Sequence, residues 1–222
     1  MGSSININDV HTRLRREYNG LMAGQVPQLA TVYNKRRETS KVKEKATYAN
    51  AYPVKSTAGN NWIIFIQKSP DVKKYIDKNS ISILAVTYHY CNEGLKAFYL
   101  ADNNVIVGFN PHFFERYNER MNLNLAHPLD IVKAFFKKGI YCYSGLIKKK
   151  DGNKQPIAIR ADGVQLGEYY VKDSYMEWRT FVNREITNLN QQRAANKIIM
   201  HHKEVIRRIP ASNKIAWPQR IA

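Results

Sequence analysis

Acidic residues are scarce in this 222-residue chain: 18 Asp and Glu face 35 Lys and Arg, a net charge of +17. Self-repulsion of that size works against a compact state unless anions neutralise it, which points to a polyanionic partner. Cysteine is nearly absent. Cys91 and Cys142 stand in aromatic, β-like surroundings without paired spacing, so they read as free thiols buried on strands, and neither a disulfide framework nor a zinc site is expected. Long apolar runs are missing too. The longest, 62–66 and 81–86, fall far short of the roughly 20 residues a spanning helix needs, and no membrane partner is expected. No basic segment followed by an apolar stretch opens the chain, so the expected compartment is the cytoplasm of a producing or infected cell, with a virion as the alternative. Neither a phosphate-binding GxxxxGK loop nor a GxGxxG is present, and no cofactor is expected.

What is present is enough apolar material for a core: 44% of residues are hydrophobic and 11% aromatic, which excludes a disordered basic tail. The positive charge gathers at the ends, with an excess of six in residues 1–60 and six in residues 183–222. Three segments follow from this: a basic, partly helical N-terminal arm over 1–60, an α+β core over 61–182, and a basic C-terminal helix and tail over 183–222. In the first, helical character at 10–18 is interrupted by Gly20, Gly24 and Pro27, and a basic run at 35–45 has almost nothing to bury. In the core, 62–67, 81–91, 95–100 and 105–109 read as strands, with hairpin-compatible turns at 92–94 and 102–104. Helices are expected at 111–121 and 128–138, then strands at 140–150, 156–160, 164–171 and 175–182 with turns at 151–152 and 162–163. Residues 184–209 carry apolar side chains at helical spacing up to Pro210. The expected fold is therefore α+β, an antiparallel sheet with a central helical pair and a basic helical arm at each end.

The segment 110–121 holds the densest chemistry. Asn110 suits an N-cap and Pro111 the first helical position. Phe113, Phe114, Tyr117 and Met121 then share one face, and His112, Arg116 and Arg120 form a stripe at i, i+4 and i+8 on another. An imidazole beside arginine forks, near free N–H groups of a helix start, suits metal-free cleavage of a phosphodiester: the imidazole moves a proton and the guanidiniums hold the charge on phosphorus oxygens. The segment is too poor in acids to hold Mg²⁺, and no metal is expected. Glu115 and Glu119 fall where they would pair with the arginines, so a charged solvent face above an aromatic core stripe explains the same residues.

This His-x-x-x-Arg-x-x-x-Arg helix after a strand, followed by a second helix and then strands, resembles the small toxin-type ribonucleases of the RelE and BrnT kind, and uncharacterised proteins of Bacteroidetes and their phages. The resemblance covers residues 112–138 and the strand carrying Trp178-Arg179-Thr180-Phe181. It implies a general acid/base at His112 and phosphate or transition-state contacts at Arg116, Arg120 and Arg179.

Other basic residues suit phosphate tracking rather than chemistry: Lys35, Arg36, Arg37, Lys41, Lys43 and Lys45 in the N-terminal arm, and Arg207 and Arg208 in the C-terminal helix. His201 and His202 point about 100° apart on a helix and read as part of a solvated face rather than as metal ligands. His89, between Tyr88 and Tyr90, reads as a half-buried strand histidine, and the many tyrosines offer stacking surfaces for single-stranded bases. The leading expectation is a nucleic-acid-binding protein of phage or mobile-element type, with metal-independent RNA cleavage nested within it. The alternative is an assembly protein of a viral particle whose arms grip acidic partner subunits.

Overall fold

The computed structural model describes residues 7–39, 49–68, 81–101, 105–139, 142–148, 153–183 and 189–208. The turns read at 102–104 and 151–152, and the tail from residue 209, lie outside the described residues. Helices α1 (Ile7–Ala23) and α2 (Gln25–Thr39) precede five strands, β1 (Asn50–Lys55), β2 (Asn61–Lys68), β3 (Ile81–Cys91), β4 (Gly94–Leu100) and β5 (Ile106–Phe109). Helices α3 (Pro111–Arg120) and α4 (Pro128–Lys137) follow. Strands β6 (Tyr143–Lys148), β7 (Lys154–Ile159), β8 (Gly163–Tyr170) and β9 (Tyr175–Asn183) then lead to α5 (Leu189–Arg208).

Among the described residues, nine strands join one sheet in the order β1-β2-β3-β4-β5-β9-β8-β7-β6. The α+β class holds, but the sheet is mixed rather than antiparallel: β5 pairs with β9 in parallel, Ile106 opposite Tyr175 and Phe109 opposite Trp178. The reason is the route of the helical pair. It delivers the chain to the far edge with β6 running opposite to β5, and three antiparallel steps later β9 returns alongside β5 in its direction. The pair is thus central in the sequence, yet in space it is one of two helical layers.

Alternation along β2 separates the layers. Ile63 and Phe65 pack with Phe113, Val132 and Phe136 of α3 and α4, whereas Trp62, Ile64 and Ile66 pack with Leu21, Val26 and Tyr33 of α1 and α2. On β7, Ala158 faces the α3/α4 side, and Ile157 and Ile159 meet Ala195 and Ile198 of α5. Helices α1, α2 and α5 therefore share one face of the sheet and α3 and α4 the other. Pro27 does not end the helical region, because it stands in the first turn of α2, where its missing N–H has no intrahelical acceptor. Gly24 marks the break between α1 and α2.

The seam between the halves is built from rings. Phe109, the last residue of β5, lies within 5.1–6.1 Å of the rings of Tyr99, Phe113, Phe114, Phe135 and Phe136. The buried polar groups beside the end of α4 are paired. Arg160 forms an ion pair with Asp162 at 3.1 Å, both side chains 6% exposed, and donates to the carbonyls of Phe135 and Gly139 at the end of α4. Tyr117 donates its hydroxyl to the same Asp162.

On the other face, Glu17 of α1 is buried and accepts from Trp62 Nε1 at 3.0 Å and Asn60 Nδ2 at 2.6 Å. Burial alone would raise its pKa, but the donors on Trp62, Ser56 and Asn60 and the charge of Arg13 outweigh it and hold the carboxyl below its ordinary value. A carboxyl lowered in the folded state stabilises fully above the unfolded pKa and stops doing so as pH falls through the lower folded one. Glu17→Gln should therefore cost about 1–3 kcal/mol near neutrality. Urea midpoints across pH should show the gap between wild type and variant closing on the acid side of the ordinary carboxylate range.

Candidate functional site

Helix α3 starts as its sequence dictates: Asn110 Oδ1 accepts from Phe113 N at 2.8 Å and Pro111 occupies the first turn. Phe113, Phe114 and Tyr117 are buried, which turns His112 and Arg116 outward. These two meet. Arg116 Nε lies 3.3 Å from His112 Nε2, and since an arginine N–H only donates, Nε2 accepts and the Nδ1 side faces Glu115 Oε2 at 3.3 Å. Arg116 also pairs with Glu119 at 2.8 Å. Each member of the pair thus has a carboxylate at i+3, and all four side chains are substantially exposed.

Arg120 does something else. Strand β5 ends opposite Trp178, so the remainder of β9 has no strand on that side, and α3 lies there instead. Arg120 Nη1 donates to the Phe181 carbonyl, and Asn183 Nδ2 donates to the Arg120 carbonyl at 3.0 Å. The guanidinium is fastened to backbone.

Arg179 is brought to none of these. It is the extra residue of a β-bulge, where Leu166 pairs with Thr180 but Gly167 already pairs with Trp178. Trp178 packs on the α3 side, whereas Arg179 turns to the opposite face, with Glu168 and Glu177 each at 3.0 Å and the Tyr170 hydroxyl beside it. The structure therefore joins His112 to Arg116, fixes Arg120 in the fold, and sends Arg179 through the sheet.

The larger gathering of charge lies on the α1/α2/α5 face. Arg13, Arg15 and Arg16 of α1, Lys35 and Arg36 of α2, and Arg193 and Lys197 of α5 are exposed; among the described side chains of these helices, Glu204 is the exposed acid. The α3/α4 side is mixed by comparison, with His112–Glu115, Arg116–Glu119 and Lys133–Asp130 pairs. Arg37, Arg207 and Arg208 belong to α2 and α5, although their side chains are outside the described ones, and Lys41, Lys43 and Lys45 lie outside the described residues altogether. Reading the charge along the chain singled out Lys35 and Arg36 but not Arg13, Arg15, Arg16, Arg193 and Lys197. The signal was their position off the apolar stripe of Leu14, Leu21, Ala195 and Ile198 on the helical wheel, with Arg16 and Arg193 nearly opposite it and Arg13 and Arg15 at its flanks.

Among the described residues, no helix is long and apolar enough to cross a membrane. Cys91 and Cys142 are free thiols, both half-buried.

These placements separate structural from exposed cations. Arg120→Ala should destabilise the fold by about 1–3 kcal/mol by unpairing a β9 carbonyl, whereas His112→Ala should stay within about 0.5 kcal/mol. Urea unfolding of the two variants checks both.

No protein-family model matches this chain, and no curated protein or solved structure is similar enough to match it, so the functional reading rests on the geometry itself.

Proposed function

We propose that the protein binds nucleic acid, as a member of the phage or mobile-element class of basic proteins, and that it grips the phosphate backbone with the α1/α2/α5 layer. The observation that carries this reading is the sorting of charge between the two helical layers. Exposed arginines and lysines of α1, α2 and α5, far apart in sequence, stand in one layer with Glu204 as the exposed acid among the described side chains of those helices, whereas α3 and α4 set Glu115, Glu119 and Asp130 beside His112, Arg116 and Lys133. A face of that kind releases counterions from a polyanion and binds it without reading sequence. In this reading Lys41, Lys43, Lys45, Arg207 and Arg208 add further phosphate contacts.

Cleavage at His112 has weaker support, because Arg116 is engaged by Glu119, Arg120 by a backbone carbonyl, and Arg179 stands on the other face. The assembly-protein alternative, with acidic subunits in place of phosphates, is separated by the same measurement that tests binding. Affinity for oligonucleotides should fall steeply with salt. Replacing Arg13, Arg15 and Arg16 together by Gln should lower the slope of log K against log salt by about 2. The same replacement at Lys133, Lys137 and Lys138 should leave it nearly unchanged. Fluorescence anisotropy titrations read both. Absence of any salt-sensitive binding would overturn the proposal and favour acidic protein partners.

A further inference from the structure

The β3–β4 hairpin runs past the end of β2. Pairing of β2 with β3 stops where Trp62 meets Thr87, whereas β3 and β4 stay paired to Cys91 and Gly94. The projecting end is held in place from the α3 side: a Cβ at Gly94, whose φ is +126°, would sit 2.9 Å from Pro111 Cβ, so the turn rests on the start of α3.

On the α1/α2 face this projection carries His89 and Phe98. Their rings are stacked, with centroids 5.3 Å apart and planes 8° from parallel. His89 is exposed and Phe98 half-buried, so the pair presents a flat ring outward, supported from behind. Burial against its neighbours, and then the charge of Lys96, lower the His89 pKa from its ordinary value. The ring is therefore neutral at physiological pH, an aromatic surface rather than a phosphate contact. Exposed cations stand on the same face, Arg13, Arg15 and Arg16 of α1, which also packs against β4. The opposite side of the hairpin, with exposed Tyr90, looks toward the mixed charges of Asp130 and Lys133 on α4 and lacks that surplus.

Flat neutral rings beside a cationic track are what single strands use and duplexes cannot, since paired bases already stack on one another. We propose that His89 and Phe98 form a base-stacking platform and that the nucleic acid this protein binds is single-stranded. The inference rests on the nucleic-acid reading above and adds the class of strand and the residues that recognise it.

The test compares an oligothymidylate, an abasic strand of equal length and charge, and a duplex, each titrated by anisotropy with wild type, His89→Ala and His89→Phe. Thermal unfolding of the three proteins confirms equal folding, which the exposure of His89 makes the expected result. Wild type should prefer the base-bearing strand over the abasic one by roughly 5- to 100-fold. His89→Ala should lose most of that preference and His89→Phe should keep it. Equal affinity of wild type for the two strands, or an undiminished preference in His89→Ala, would overturn the platform while leaving salt-dependent phosphate binding standing. No binding of any of the three at low salt would overturn the nucleic-acid reading and the platform with it.

Discussion

The parallel seam between β5 and β9 is the contact that places everything else. It is four residue pairs long, and every other neighbouring pair in the sheet is antiparallel. A parallel pair needs both faces covered. On one face Phe109 meets the rings of α3 and α4; on the other, Tyr175 lies over Gly108, where a Cβ would collide with its ring. Because β5 is shorter than β9, the seam leaves part of β9 open to α3, and Arg120 closes that gap through a backbone carbonyl. The seam also makes two antiparallel halves into one continuous surface, which is why helices from opposite ends of the chain share a face.

Buried charges fasten helices to this sheet on each face, an ion pair on one and a lone carboxylate on the other. Asp162 and Arg160 hold the end of α4, where carbonyls lack intrahelical donors, and the Arg160 guanidinium lies 4.0 Å above the Phe135 ring. Glu17 holds α1 to the start of β2 through Trp62. The desolvation penalty of such groups offsets much of their attraction, so their larger effect is on specificity: a helix shifted by one turn would strand a charge without its partners. His11 adds a second tether, donating to the Asp173 carbonyl at 2.9 Å, so α1 is held at two points along its course across the sheet.

Much of the core was legible from local pattern. The strands at 81–91 and 105–109, the capped helix after Asn110 and the helix after Pro128 depend on alternation, capping and proline position, all of which act within a few residues. What depends on distant partners was not. No local signal says that β5 meets β9 in parallel. Strand β1 escaped because Pro53 argues against a strand, although an edge strand tolerates it. The packing of α1 and α2 had one readable sign, the unbroken run Trp62-Ile63-Ile64-Phe65-Ile66. A strand apolar at every position needs cover on both faces, and α3 and α4 supply only one. At the site, the helical stripe of His112, Arg116 and Arg120 was visible as spacing. Its division between an exposed pair and a backbone clamp was not, because that follows from where β5 stops.

Charge, finally, acts on this fold in two different ways. On the α3/α4 layer, each cation of an i,i+3 pair spends its field on a neighbour, and exposed pairs of this kind add little stability. Among the described side chains of the α1/α2/α5 layer, seven exposed arginines and lysines stand with one exposed acid, Glu204, so their fields add over the layer instead of cancelling. Within a Debye length of about 8 Å such neighbours repel one another, and each helix stays docked because Leu21, Val26, Ala195 and Ile198 bury apolar surface beneath them. The layer is therefore held by its inner face against a repulsion on its outer one. A bound polyanion would remove that repulsion, so binding and the docking of these helices are energetically linked: a strand laid on the outer face stabilises the inner one.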